Sequence, residues 1–497
     1  MTYLGIDFGT CTNLITRWNP EKNEVELIDM ASYGSSSKVF PNVIFYASPE
    51  NRYMGENAEK QAIVNPENCV KGIKRHLEEK GYHRYISNLA RDLKAEDIAA
   101  DIFSYIKKAV EDKFGGETVD GVVISVPFAF QHKERARIQK AAERAGLHVL
   151  GLIEEPVAAA LSFGLAAKAE RGKTQKILIF DLGGGTFDVT VFEFIKQTDT
   201  RFDVEVLTTD GNKKLGGLDI DDLIIHKLVD MLHNKFPDYD LERLPEKVRD
   251  GEYRVLENTA RSLKLEFTDE DEAELFFRSE AQADVILDDF LEIEDFNRWL
   301  DQSGFMAKIK DVLDSTLLDL DFEAKDIDRI MMVGGTSNIR HIHDFVEEYF
   351  GKSPEVIKKP DEMVGEGAGI YCGICLNKKM KYTITRRVSY AIGIISKGSF
   401  KTMIPRNTPY NEASKEVEYI AVKNRDKEQK IFVCQKDHKT VVGCILLKPK
   451  LLYQLHGKHV GLRLNTDDNG IIEYTLYDVL DNNDLVELIH EKVEDDE

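Results

Sequence analysis

Tyr3-Leu-Gly-Ile-Asp7-Phe-Gly9-Thr10 and Ile177-Leu-Ile-Phe-Asp181-Leu-Gly183-Gly184-Gly185-Thr186 are two copies of one pattern, in which an apolar strand ends in an Asp, a glycine turn and a Thr. After each turn a second strand follows, Asn13 to Trp18 in the first copy and Phe187 to Phe192, with period-two alternation, in the second. Each copy therefore predicts a hairpin. A P-loop or a dinucleotide fingerprint instead runs from strand through glycines into a helix, and no G-x-x-x-x-G-K-[ST] occurs in the chain. Glycines let backbone N–H groups approach an anion, and the Thr hydroxyl adds a donor. An Asp beside a phosphate repels it unless a divalent cation lies between, so the repeated Asp implies Mg²⁺ bound to phosphate oxygens and water. Turn chemistry alone gives no reason for the same order twice.

A third glycine element, Ile330-Met-Met-Val-Gly334-Gly335-Thr336-Ser337, follows an apolar strand without an Asp, which suits an uncharged ligand part such as a nucleoside. Its plainer reading is a tight turn into a helix starting near Asn338. The strand Gly121 to Pro127 precedes an amphipathic helix, His132 to Ala145, and Glu154-Glu155-Pro156 opens another, Val157 to Phe163. These are the crossover helices of an α/β fold.

The chain has 497 residues, 42% of them hydrophobic, enough for two to four globular domains, and no stretch long and apolar enough to span a membrane. The N-terminus reads as a first strand rather than a secretory signal, so cytoplasmic localisation is expected. With 66 basic and 88 acidic residues the net charge is −22. So acidic a chain is repelled by nucleic acid and anionic lipid, which excludes both as expected partners. Residues 381 to 497 hold 18 basic and 18 acidic side chains, so the whole deficit lies before them and marks a domain boundary near 380. There, 377 to 387 is polar and basic, as a linker or a first edge strand would be. Six scattered cysteines are too sparse for a disulfide framework, and the Cys372-x-x-Cys375 pair shares a face of a helix-like stretch, which reads as structural.

These residues, in this order, resemble the nucleotide-binding domain of the seventy-kilodalton heat-shock (DnaK-type) chaperone family, within the actin-like ATPase superfamily. Asp7 to Thr10 is similar to its first phosphate motif, Asp181 to Asp188 to its second, Val333-Gly334-Gly335 to its adenosine motif, and Val126-Pro127 and Ile153 to Ala160 to its connecting segments. The resemblance spans residues 1 to about 376 and continues more weakly beyond. It implies a two-lobed actin-like domain, a duplicated ribonuclease-H-like fold, over 1–380, binding ATP or ADP with Mg²⁺. Asp7 and Asp181 would hold the metal through water, Gly9, Thr10, Cys11, Gly183, Gly184, Gly185 and Thr186 would meet phosphate, and Lys74 would polarise the γ-phosphate and the attacking water. Glu155 and Asp188 are the family's candidates for orienting that water, with Thr186 beside them. Gly216, Gly217, Lys264, Thr268, Gly334, Gly335, Thr336, Asn338 and Asp361 match its remaining nucleotide contacts. Pro127 and Arg135 match its interdomain switch. Two positions depart from the pattern: Arg261 stands where the family has a ribose-binding Glu, and Asn338 where it has an adenine-stacking Arg.

Residues 381–497 read as short strands, Ser389 to Ile395, Val417 to Val422, Lys430 to Gln435, Val441 to Leu447, Val460 to Leu464 and Ile471 to Tyr477, which suggest a β-sandwich. Val388 to Gly393 and Asp467 to Ile471 resemble the start and a late turn of the family's substrate-binding β subdomain. The family's apolar linker is replaced by Thr383-Ile-Thr-Arg-Arg387, and no helical lid follows. With Ile384 as its sole apolar side chain, such a linker predicts less than a tenfold change in peptide affinity between ATP and ADP, about 1.4 kcal/mol. The expected protein is a lidless chaperone-type ATPase that slowly hydrolyses Mg·ATP and binds an unfolded or specific polypeptide, with a co-chaperone possible. Its rivals are a non-hydrolysing ATP-binding scaffold or exchange factor and a small-molecule kinase of the same superfamily.

Overall fold

The computed structural model describes residues 2–30, 38–77, 79, 81–128, 130–166, 170–198, 201–355, 362–376, 382–386, 388, 390–396, 398–406, 408–410, 417–423, 425–435, 440–455, 459–480 and 484–493. The chain divides into two compact units, Met1–Gln175 with Thr190–Thr209 and Glu362–Glu497 in one, and Lys176–Val189 with Asp210–Asp361 in the other.

The first unit is built on a mixed sheet whose central strand, Thr2–Phe8, lies parallel to Val119–Val126 and antiparallel to Thr12–Asn19. Val149–Glu154 extends the sheet in parallel beyond Val119–Val126, and Glu24–Leu27 extends it on the other side. The predicted first hairpin is therefore present. These strands read as near-continuous apolar runs because both faces are covered. Leu4, Ile6, Phe8 and Ile15 join Ile98, Ile102 and Phe103 of helix Ala95–Lys113 and Ile138 of helix His132–Arg144 in one core. The other face meets helix Met363–Leu376, whose glycines allow backbone contact: a Cβ on Gly5 would collide with the Gly369 amide. In that helix Cys372 is buried and donates to the Leu4 carbonyl at 2.9 Å, so it serves packing, while Cys375 is exposed.

The parallel strands bring Asp7, Val126 and Glu154 to one edge of the sheet, since Ile6 pairs with Ile124 and Val126 with Glu154. At the C-terminal ends of parallel strands, side chains and loops are free to meet a ligand.

The same unit holds the C-terminal sandwich. One sheet runs in the order Ser399–Ile404, Ile392–Ser396, Gln429–Gln435, Val441–Leu447, the other Glu418–Ala421, His459–Thr466, Ile472–Val479, Leu485–Lys492. Between them lie Ile394, Val433, Ile445, Leu462, Leu464, Ile472 and Leu476. All six expected strands are found within a few residues of their predicted bounds. Three elements were not foreseen: Ser399–Ile404, helix Pro449–Gln454 and the edge strand Leu485–Lys492, whose mixed polar character carries no clean alternation. Of the stretch read as linker or edge strand, Tyr382–Thr385 is a strand, paired in parallel from Phe202 with Tyr382 to Glu205 with Thr385. The β-branched run Thr383-Ile384-Thr385 accounts for it.

In the second unit, Ile177 to Asp181 pair in parallel with Arg329 to Val333. The Gly183 N–H donates to the Thr186 carbonyl at 3.0 Å, closing the turn of the second expected hairpin. Helices Gly217–Lys235 and Glu246–Glu266 follow, then an antiparallel pair, Glu272–Arg278 with Ile286–Glu292, that buries Ala273, Leu275 and Phe277 on one face. Glu252, fully buried, accepts from the Tyr239 hydroxyl, the Ser279 hydroxyl and the Ala281 N–H, which fastens this pair to its helix. The helix expected near Asn338 begins one short turn later, at Arg340, after a 3-10 segment Gly335–Asn338.

Candidate functional site

In the first unit the edge formed by Asp7, Val126 and Glu154 carries a compact charged group. Ser125 Oγ donates to Asp7 Oδ1 at 2.7 Å. Lys74 stands in a 3-10 turn, Ile73–His76, entered through Gly72 at φ 63°, a left-handed conformation that favours glycine. Its ammonium is 2% exposed, ion-paired to Glu155 and 5.9 Å from the ring centroids of both Phe8 and Phe130. Lysines are seldom buried this far without a paired charge. Burial, and then the Glu155 charge, push the Asp7 carboxyl up to about 6, against the downward pull of Lys74 and Ser125. Two carboxylates thus share one ammonium in a place sheltered from water. A cation added there would relieve the excess negative charge.

The second unit assembles the other glycines. The Gly217 N–H donates to the Gly183 carbonyl at 3.0 Å and the Leu218 N–H to the Gly184 carbonyl at 2.8 Å, and a Cβ on Gly216 would press into the turn at 2.6 Å from the Gly185 amide. Thr336 Oγ1 reaches the Gly183 carbonyl at 2.8 Å. Gly334 has φ 82° and ψ 142°, and a Cβ there would strike the Leu182 carbonyl and crowd Asp181 Oδ1, so the position admits only glycine. Lys264 bonds the Gly217 carbonyl at 3.0 Å and Asp221 at 2.6 Å. Asp181 and Asp188 are buried beside this cluster, and Gly211 packs against the Asp188 carboxylate.

A second charged group lies one residue from Glu155. Glu154 accepts from Arg135 Nη1 at 2.8 Å, from Arg386 Nε at 2.8 Å and Nη2 at 3.0 Å, and from the Tyr410 hydroxyl at 2.8 Å. The two guanidiniums outweigh the cost of burial and hold its carboxyl well below the ordinary range. Arg135 also donates to the Phe130 carbonyl at 2.9 Å, in the loop that Pro127 opens, and to the Asn469 carbonyl at 3.2 Å. Asn469 Oδ1 in turn accepts the Leu152 N–H at 2.8 Å. The sandwich turn Asp467 to Ile471 is thereby seated on the edge strand Val149–Glu154.

Most of the residues named from sequence fall into these groups. Thr268 does not: its hydroxyl returns to the Leu265 carbonyl at the end of its own helix. Asn338 is exposed, as is Arg261, whose charge bears on Asp221. Asp361 lies outside the described residues. Sequence reasoning missed Ser125, Glu154, Asp221, Arg386 and Asn42. A signal existed for Ser125, a hydroxyl in an otherwise apolar strand, and for Glu154, the first of two adjacent acids.

The geometry therefore gives two glycine turns after apolar strands, one with a buried Asp181 and the other with a half-buried Asp7 beside a buried Lys–Glu pair. The Hsp70 protein family model matches residues 3–485. The chain belongs to the Hsp70 family. It is 32% identical over 417 residues to the "Chaperone protein DnaK" of Thermotoga neapolitana, covering 82% of this chain and 65% of that protein. To the protein of the same name from Thermosipho melanesiensis it is 29% identical over 459 residues, 89% of this chain and 72% of that one. The chain thus spans somewhat under two thirds of the length of the Thermotoga relative. The expected fold class, an actin-like α/β ATPase fold followed by a β-sandwich, is that of this Hsp70-family chain. No helix among the described residues is long and apolar enough to cross a membrane.

Proposed function

We propose that this Hsp70-family protein is a chaperone-type ATPase that binds and slowly hydrolyses Mg·ATP and binds polypeptide through its C-terminal sandwich. The observation that carries the reading is the buried Lys74–Glu155 pair beside Asp7 and Ser125 at the end of the central strands. A fully exposed lysine would have been an ordinary solvated charge. On this reading the glycine turns receive the phosphates, while Gly217, Lys264, Gly334 and Thr336 border the nucleoside side. Lys74 draws charge from the γ-phosphoryl oxygens, and Glu155 orients the water whose oxygen bonds to phosphorus as the bond to the ADP oxygen breaks; Asp188, in the other unit, is the family's second candidate for that role.

The donor set fits Mg²⁺. Asp7 and Asp181 each offer a hard carboxylate oxygen beside a glycine turn of their own unit, Asp181 buried and Asp7 half-buried and short of positive charge. Among the described residues no group of three or more His, Cys, Asp or Glu is placed to hold a metal. The remaining ligands would be water and phosphate, as is usual for Mg²⁺. When bound, Mg²⁺ would neutralise charge on the phosphate oxygens. Nucleotide affinity should then depend on the metal: calorimetric titration with ADP should show clearly weaker binding in EDTA than in Mg²⁺, and equal affinities would contradict the two-Asp reading.

We further propose that the Glu154–Arg386 contact links the sandwich to the nucleotide side, because Glu154 and Glu155 are adjacent. The expectation of weak coupling counted the apolar area of Ile384 and no ionic contact. Clients are expected to be unfolded or specific polypeptides, and a co-chaperone is compatible with the family.

A further inference from the structure

The first phosphate turn is held from outside by Asn42, a residue in neither glycine motif. Asn42 follows the short strand Phe40–Pro41, which pairs with Thr12 and Asn13 and so brings it against the turn. It is 1% exposed. Its Nδ2 donates to the Gly9 carbonyl at 2.6 Å, and its backbone N–H donates to the Cys11 carbonyl at 2.7 Å. One residue thus grips two alternate carbonyls of the Gly9-Thr10-Cys11-Thr12 turn.

A trans peptide is planar, and its C=O and N–H point in opposite directions. Holding the Gly9 carbonyl therefore fixes the direction of the Thr10 N–H, and holding the Cys11 carbonyl fixes that of the Thr12 N–H. Both amides are aimed away from Asn42. Both carbonyls, which an anion would avoid, are drawn to the Asn42 side and occupied there. Gly9 cannot supply this order itself, since it is the least restrained residue of the turn, and a Cβ at its position would collide with the Thr12 carbonyl.

A second observation separates this role from simple packing. Asn42 Oδ1 is buried and has no hydrogen-bond partner among the described residues. A buried acceptor left unpaired lowers stability, so the amide is poorly satisfied as a core residue while its donor is well used.

We propose that Asn42 is a positioning residue that pre-orients the Thr10 and Thr12 amides for a nucleotide phosphate, a role that rests on the nucleotide reading above. Preorganised donors bind an anion without first being ordered. Asn42→Ala removes the side-chain grip and the orphan acceptor together, whereas Asn42→Asp keeps the shape but turns a second acceptor toward the Gly9 carbonyl.

The test compares the parent with both variants in three measurements: thermal melting, hydrogen exchange of the Thr10 and Thr12 amides without nucleotide, and calorimetric titration with Mg·ADP. In Asn42→Ala the two amides should exchange faster and ADP affinity should fall about tenfold, by more than any change in melting temperature accounts for, with Asn42→Asp falling at least as far. Unchanged exchange and unchanged affinity in both variants would overturn the proposal. So would a loss of affinity that only tracks a loss of melting temperature, which is the signature of a packing residue. A parent that binds no Mg·ADP would overturn the nucleotide reading itself, whatever the amides do.

Discussion

Replacing Glu154 by Gln is expected to release the sandwich turn from the strand Val149–Glu154. The substitution keeps the shape of the side chain but leaves Arg135 and Arg386, 2% and 6% exposed, without their anion. Removing one partner of a buried ion pair costs about 3–5 kcal/mol, because the remaining charge is left desolvated and unpaired. Here two guanidiniums share one carboxylate, so the upper part of that range applies. Hydrogen exchange should rise at Leu152, whose N–H is held by Asn469, and across Asp467 to Ile472. The strand pairing of Val122 to Val126 with Val149 to Glu154 should keep its protection. Because the Glu154 carboxyl is held below its ordinary value, the pair is fully formed above about pH 4.3, the unperturbed glutamate value, and weakens only as pH falls through the depressed one. The contrast between parent and variant should therefore be the same at pH 6 and pH 8. If the Glu154–Arg386 contact carries the coupling, any difference in peptide affinity between ATP and ADP should shrink in Glu154→Gln. An unaltered difference would assign coupling elsewhere.

Lys74→Ala is expected to lower single-turnover ATP hydrolysis by about 10²- to 10³-fold while changing ATP affinity little. Removal of one preorganised donor that acts on charge developing in the transition state has a cost of this order, and an effect confined to the transition state lowers the rate without weakening binding. Stability should be affected moderately, since Glu155 is left without its partner but retains some access to water. A variant that hydrolyses at the parent rate, or that loses binding and rate together, would remove Lys74 from the catalytic role.

The two groups of charge behind these predictions differ in how far they can be read from sequence. The repeated strand, Asp, glycine turn and Thr is a local pattern, and both turns are where that pattern puts them. Gly334 was legible for the same reason, as a glycine closing a strand. Lys74 has no local signature, and its burial depends on contact with Glu155, 81 residues away. Only the family resemblance singled it out. Glu154 was visible as an acid next to a candidate catalytic one, but its partner Arg386 is 232 residues distant, in a basic stretch that reads as a linker or a first edge strand. Nothing local distinguishes a basic residue that will be buried against a carboxylate from one that stays in water. Asn42 was invisible for a different reason: it acts on backbone carbonyls, which leave no trace in residue identity. Thr268 is a motif match whose hydroxyl turns back to its own helix.

The Lys74–Glu155–Asp7 group is proposed to serve hydrolysis and not binding alone. Single-turnover incubation of the protein, in excess over ATP and with Mg²⁺, tests it most directly. Slow but complete conversion to ADP and phosphate, abolished by EDTA, is the predicted result. ATP recovered intact over hours from protein that binds ADP tightly would contradict it, and would leave a nucleotide-dependent scaffold in its place.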